Sequence, residues 1–180
     1  MWMHPICLVS EAAEFAARRH TGMARKGRGN EPYINHLAEV ANLLGTVTGG
    51  RDAELVAVGW LHDTIEDTAT TQDELAEKFN ERVANLVVEV TDDMRLPKSE
   101  RRRLQIVESP GKSSSAKLIK IADKISNIRA RIHHDPSPEE RADLTDYVDW
   151  AEQVVAGCRG VNAALDQMFD DTVKLARSRP

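Results

Sequence analysis

The stretch GWLHDTIEDT, residues Gly59–Thr68, sets one imidazole and three carboxylates among apolar side chains. His62, Asp63, Glu66 and Asp67 stand beside Trp60, Leu61 and Ile65. On one continuous helix from Leu55 to Asp67, Glu66 falls about 40°, Asp63 about 100° and Asp67 about 140° from His62. The four therefore share an arc. Leu55, Val58, Leu61 and Ile65 fall on the adjoining arc, which faces the core. Clustered carboxylates at the edge of a core repel one another and resist desolvation. A divalent cation removes much of that cost. The competing reading is an amphipathic helix that ends in a solvated acidic turn. Acidic groups at a helix C-terminus oppose the helix dipole, which counts against it.

Partners for the four come from two further segments. In KLIKIADKISNIRARI, Leu118, Ile121, Ile125, Ile128 and Ile132 form one apolar stripe. Ala116, Ile119, Asp123, Asn127 and Ala130 form another on nearly the opposite face, so this helix is expected to be buried on two sides. Asp123 then points into a notch of small residues with Asn127 one turn on, and a buried carboxylate calls for a metal or an arginine. In EPYINH, His36 opens a helix after a loop rich in glycine and positive charge. Taken alone, His36 also reads as a cap and Asp123 as a hydrogen-bonded structural group. Together, His36, His62, Asp63 and Asp123 make an N/O donor set that suits Mn²⁺, Fe²⁺, Co²⁺ or Zn²⁺.

The rest of the chain reads as helices. SEAAEFAARRH is one, with Ser10 as its cap. NHLAEVANLLG is another, capped by Asn35 and stopped by Gly45. The 59–68 stretch continues a helix from RDAELVAVGW, and helices follow in TTQDELAEKF, ERVANLVVEVTDD and the region reaching into the 170s. SPGKSSS reads as a flexible lead-in, and the arginine run in KSERRRL as a solvated face. Gly111, Lys112 and Ser113 do not make a phosphate-binding loop, because Ile106 stands where its first glycine belongs. Period-two alternation is absent almost everywhere, so the expectation is an all-α bundle in a single domain spanning residues 1–180.

With 180 residues the chain suits one compact core. A net charge of −5 argues against a broad nucleic-acid surface, although a local basic loop can still hold a phosphorylated small molecule. No apolar run approaches membrane-spanning length, and charge comes too early for a secretory signal. Cys7 and Cys158 fit no metal spacing and read as free thiols, so the expected location is cytoplasmic. Exposed helix faces permit a homodimer without requiring one.

The order H…HD…D, completed by ARKGRGNEPYINHLAEVA, LHDTIEDT, ADKISNIR and YVDWAEQVV, resembles the HD-domain metal-dependent phosphohydrolases. Within them it is most similar to the hydrolase domain of the RelA/SpoT family, in its stand-alone small alarmone hydrolases. The resemblance runs from about Ala12 to about Cys158. It implies an HD-domain helical bundle with Mn²⁺ on His36, His62, Asp63 and Asp123. Glu66 and Asp67 match the acidic pair that positions and activates the attacking water. Arg25 and Lys26 match the basic loop near the nucleotide. Asn127 and Tyr147 match contacts to its sugar and phosphates.

The implied reaction removes pyrophosphate from the ribose 3′ position of ppGpp or pppGpp, the alarmones of the stringent response. Met23 and Ser126 depart from the family pattern; neither is a matched ligand, so they leave guanine against adenine open. Rival substrates are ppApp and NADPH, the latter through its 2′-phosphate, with a 5′-nucleotidase more distant. A non-catalytic alarmone-binding protein is the remaining reading, and the presence of both Glu66 and Asp67 counts against it. The synthetase and regulatory domains of the long RelA/SpoT proteins do not fit in this length, so the resemblance implies degradation of alarmone and not synthesis.

Overall fold

The structure is a computed structural model that describes residues 3–25, 31–132 and 136–178. Among these residues every regular element is a helix, and extended backbone pairs only in an isolated antiparallel bridge between Ala24 and Pro32. They divide into two compact units, 3–25 with 31–95 and 96–132 with 136–178.

The first unit contains α1 (Pro5–Arg19), α2 (Ile34–Thr48), α3 (Ala53–Leu61), α4 (Thr64–Asp67), α5 (Gln72–Lys78) and α6 (Glu81–Val90). Helix α3 is its axis: α1, α2 and α6 all pack against it. The sequence explains why. Helix α3 carries Leu55, Ala57, Val58, Gly59 and Leu61, all buried, so apolar surface faces nearly every direction. Each fully buried leucine contributes about 1.5–3 kcal/mol relative to exposure. Asp52 starts the helix by accepting the Leu55 N–H at 3.0 Å. Thr71 and Asn80 cap α5 and α6 in the same way.

The segment that reads as one helix from Leu55 to Asp67 is in fact two. Helix α3 stops at Leu61 and α4 begins at Thr64. The cause is local competition for carbonyls in the last turn. The His62 ring bonds the Gly59 carbonyl through Nδ1 at 3.0 Å, and the Thr64 hydroxyl donates to the Leu61 carbonyl at 2.6 Å. Asp63 sits at φ −97°, ψ −2°, outside ideal helix. Two other boundaries differ. Helix α1 starts at Pro5 under a cap from His4, which leaves Ser10 inside it. Helix α2 runs through Gly45 to Thr48 and ends on Gly49 at φ 60°, with Tyr33 and not Asn35 at its start.

The second unit contains α7 (Lys98–Glu108), a 3₁₀ turn (Ser109–Gly111), α8 (Ser114–Arg131), α9 (Pro138–Ala156) and α10 (Ala163–Arg177). Helix α8 packs on both α9 and α10, which is why it is apolar on two faces. Ile121, Ile125 and Ile128 are buried on one face, and Ala116, Ile119 and Ala130 on the other. The lead-in before α8 is ordered: after the 3₁₀ turn, Ser113 caps the helix. Helix α7 buries no residue outright, but its arginine run is not simply a solvated face: Arg103 is exposed, whereas Arg101 donates to the Leu96 carbonyl at 2.7 Å and the Arg102 guanidinium carbon lies 4.9 Å from the centre of the Trp150 ring. A full capping box, Ser137 with Glu140, starts α9.

Candidate active site

The break after α3 turns His62 and Asp63 toward the first turn of α2. His62 Nε2 lies 3.2 Å and His36 Nε2 3.4 Å from Asp63 Oδ2. The two imidazoles meet edge to face, with ring centroids 5.2 Å apart. Both histidines are buried. A backbone carbonyl only accepts, so the His62 proton sits on Nδ1 facing Gly59. In the neutral ring, His62 Nε2 then presents a lone pair to a carboxylate oxygen. The contact is attractive only when a ring proton or a bound cation lies between the two atoms. The donor set in this unit thus fits a divalent metal.

Electrostatics separate the carboxylates. Burial opposes ionisation of Asp63, but His62 and His36 outweigh it and hold its carboxyl well below the usual range. Asp67 reaches solvent, yet partial burial and then the Asp63 charge push its carboxyl above the usual range, against the pull of Tyr33, His20 and His62. Glu66 accepts the Asp92 backbone N–H at 2.5 Å, which ties α4 to the end of α6. These three side chains occupy different settings although the sequence places them within five residues of each other.

Arg25 is 5 % exposed and not on an open loop. Its guanidinium, which can only donate, faces His36 Nδ1 at 3.3 Å. Glu39 lies 3.7 Å and Glu31 4.0 Å from its other nitrogen. Lys26 lies outside the described residues.

The second unit holds the remaining candidates. Asp123 projects from α8 and is engaged on both oxygens: Lys124 Nζ donates to Oδ2 at 2.8 Å and Asn127 Nδ2 to Oδ1 at 2.6 Å. Asn127 therefore orients Asp123. Lys124 is buried and sits 4.5 Å from the centre of the Trp150 ring. Tyr147 is buried beneath Arg131, whose guanidinium carbon is 3.9 Å from the ring centre. Burial pushes its phenol up to about 12. Trp150 is only half-buried: its indole N–H donates to the Arg102 carbonyl at 3.1 Å.

Sequence reasoning did not single out Tyr33, Lys124 or His20. The Tyr33 hydroxyl donates to Asp63 Oδ2 at 2.6 Å. Its only signal in the sequence is an aromatic three residues before His36. Lys124 stands next to Asp123, but its burial is not legible from a helix that is apolar on two sides.

The chain belongs to the HD-domain family, whose family model matches residues 12–148. Within that family it is 45% identical over 164 residues to the guanosine-3′,5′-bis(diphosphate) 3′-pyrophosphohydrolase MESH1 of Homo sapiens, covering 91% of this chain and 92% of that one. It is 43% identical over 163 residues to the protein of the same description from Xenopus tropicalis, covering 91% of each. A solved structure described as a metazoan orthologue of SpoT that hydrolyses ppGpp superposes with a TM-score of 0.86 at 34% identity, covering 97% of this chain and 98% of that one. An HD-domain hydrolase implies a divalent metal, in agreement with the donors around Asp63. Among the described residues no helix is long and apolar enough to cross a membrane.

Proposed function

We propose that the chain is a metal-dependent 3′-pyrophosphohydrolase of ppGpp and pppGpp, releasing intact pyrophosphate and leaving GDP or GTP. The observation that carries this reading is the pair of buried imidazoles meeting on Asp63, in a chain that aligns over nine-tenths of its length with MESH1 proteins. His36, His62 and Asp63, with Asp123 as fourth donor, hold one divalent ion, which we take to be Mn²⁺. Both compact units then serve one hydrolase domain. When bound, the ion offsets charge on the reacting ester and makes water a better nucleophile.

Asp67 takes the proton from the attacking water. Partial burial and the Asp63 charge raise its carboxyl pKa, which makes it a stronger base than a fully solvated aspartate. Glu66, fixed by the Asp92 amide, orients that water from the side. Asn127 holds Asp123, and on the nucleotide side it and Tyr147 contact sugar and phosphate. Arg25 and Lys26 balance the departing pyrophosphate. For His36 to offer Nε2 to a cation, its proton has to move to Nδ1, and the Arg25 contact has to open. That releases the guanidinium toward phosphate. Two free thiols, Cys7 and Cys158, fit work in a reducing cytoplasm, and the chain acts alone or as a homodimer.

The test is a comparison of ppGpp, ppApp, NADPH and a 5′-mononucleotide at equal concentration, with products identified. Pyrophosphate and GDP from ppGpp are expected. Activity on ppApp at a similar rate fits the same chemistry with a permissive base pocket. Stepwise orthophosphate from ppGpp, or turnover of the 5′-mononucleotide alone, overturns the assignment.

A further inference from the structure

Four rings run in an unbroken series through the first unit: His20, Tyr33, His36 and His62. His20 stacks on Tyr33 with centroids 5.2 Å apart and planes 14° off parallel. Tyr33 meets His36 edge to face at 5.5 Å, and His36 meets His62 at 5.2 Å. The two histidines at the inner end belong to the donor set. The outer two do not belong to that set. Yet Tyr33 donates its hydroxyl proton to Asp63 Oδ2, the oxygen on which both inner imidazoles converge.

We propose that Tyr33 is a positioning residue for Asp63, and that His20 is the platform fixing the Tyr33 ring. The inference rests on the reading of Asp63 as a metal ligand. A carboxylate rotates about its last bond, and one oxygen has two lone-pair directions. A hydroxyl bonded along one of them leaves the other aimed between His36 and His62. The tyrosine is well placed to hold that orientation. Its backbone N–H donates to the Met23 carbonyl at 2.9 Å, and its Cα stands at the start of α2, one helical turn from His36.

His20 acts through its face. Its Nδ1 bonds the Ala16 carbonyl at 2.9 Å, which anchors the ring at the end of α1. Its Nε2 has no hydrogen-bond partner among the described residues, and the residue is 3 % exposed. A flat ring rigidly attached to α1 limits the tilt of Tyr33, and so the direction of the hydroxyl. Groups that orient a metal ligand in this way typically change metal affinity by about 10–100-fold.

The experiment titrates Mn²⁺ into metal-free protein by calorimetry and follows thermal unfolding of the same metal-free samples. Tyr33→Phe keeps the ring and removes the hydroxyl. It is expected to bind Mn²⁺ roughly tenfold or more weakly, while its metal-free Tm stays near that of the wild type. His20→Ala is expected to weaken Mn²⁺ binding, and His20→Phe, which retains a stacking face, to restore it. Affinity of Tyr33→Phe equal to wild type overturns the proposal, as does a lower metal-free Tm with affinity unchanged, which makes Tyr33 a packing residue only. Asp63→Asn separates the two levels. If it binds Mn²⁺ like the wild type, the ligand reading of Asp63 fails and this inference fails with it. If it loses Mn²⁺ while Tyr33→Phe does not, only the role of Tyr33 is refuted.

Discussion

Gly59→Ala probes how the fold sets the spacing of the two histidines. A Cβ at position 59 would stand 2.7 Å from the Ala41 Cα, 3.0 Å from the Ala41 nitrogen and 3.1 Å from Leu44 Cδ1. Two of these atoms are backbone of α2 and cannot rotate away. Restoring an ordinary contact of about 3.5 Å to the Ala41 Cα means separating α2 from α3 by roughly 0.8 Å. Overpacking of this kind costs about 1–3 kcal/mol, and the upper end applies where backbone has to move. Alanine regains about 1 kcal/mol of helix propensity over glycine. The net is a loss of about 2 kcal/mol, or roughly 4–8 °C in Tm for a chain of this size. His36 rides on α2 and His62 follows α3, so the same displacement widens the imidazole pair and weakens metal binding. Thermal unfolding with and without Mn²⁺ measures both effects. A Tm at or above the wild-type value refutes the packing argument.

Asp67→Asn should retain Mn²⁺ and nucleotide binding and lose most of its turnover, since it removes a base and no ligand; near-normal kcat would shift water activation to Glu66. Asp52 caps α3 and pairs with Arg82, whose side-chain hydrogen bonds hold its carboxyl below the usual range. A depressed carboxyl stabilises the fold above its unfolded pKa and loses that contribution as pH falls through the lower, folded one. Acid unfolding curves of Asp52→Asn should therefore lack part of the wild-type pH dependence in that window, and superimposable curves would contradict the pairing. Cys7 is exposed, whereas Cys158 is buried with its thiol pushed up by burial, so a maleimide should label one cysteine in native protein and two after unfolding.

The meeting of His36, His62 and Asp63 was legible because metal chemistry restricts residue type: two imidazoles and carboxylates at fixed spacing have few structural explanations. The helical class was legible for a similar reason, since apolar residues recur at helical and not at strand period. What could not be read was how the donors are turned. A helical wheel carries Asp63 round with His62, but the break after Leu61 depends on His62 and Thr64 taking carbonyls of the last turn, a contest that periodicity does not register. Arg25 looked like loop charge from its neighbours, yet two glutamates and His36 draw it inward. Helix ends shifted because caps were sought at favoured residue types, while His4 and Gly49 hold the ends observed.

The most direct test of the metal centre is the number of divalent ions bound per chain, measured on wild type and on His36→Ala, His62→Ala, Asp63→Asn and Asp123→Asn. The account predicts one ion per wild-type chain and a substantial loss of binding in each of the four variants. Wild-type stoichiometry and affinity in Asp123→Asn would contradict it, because the site would then be complete without the fourth donor.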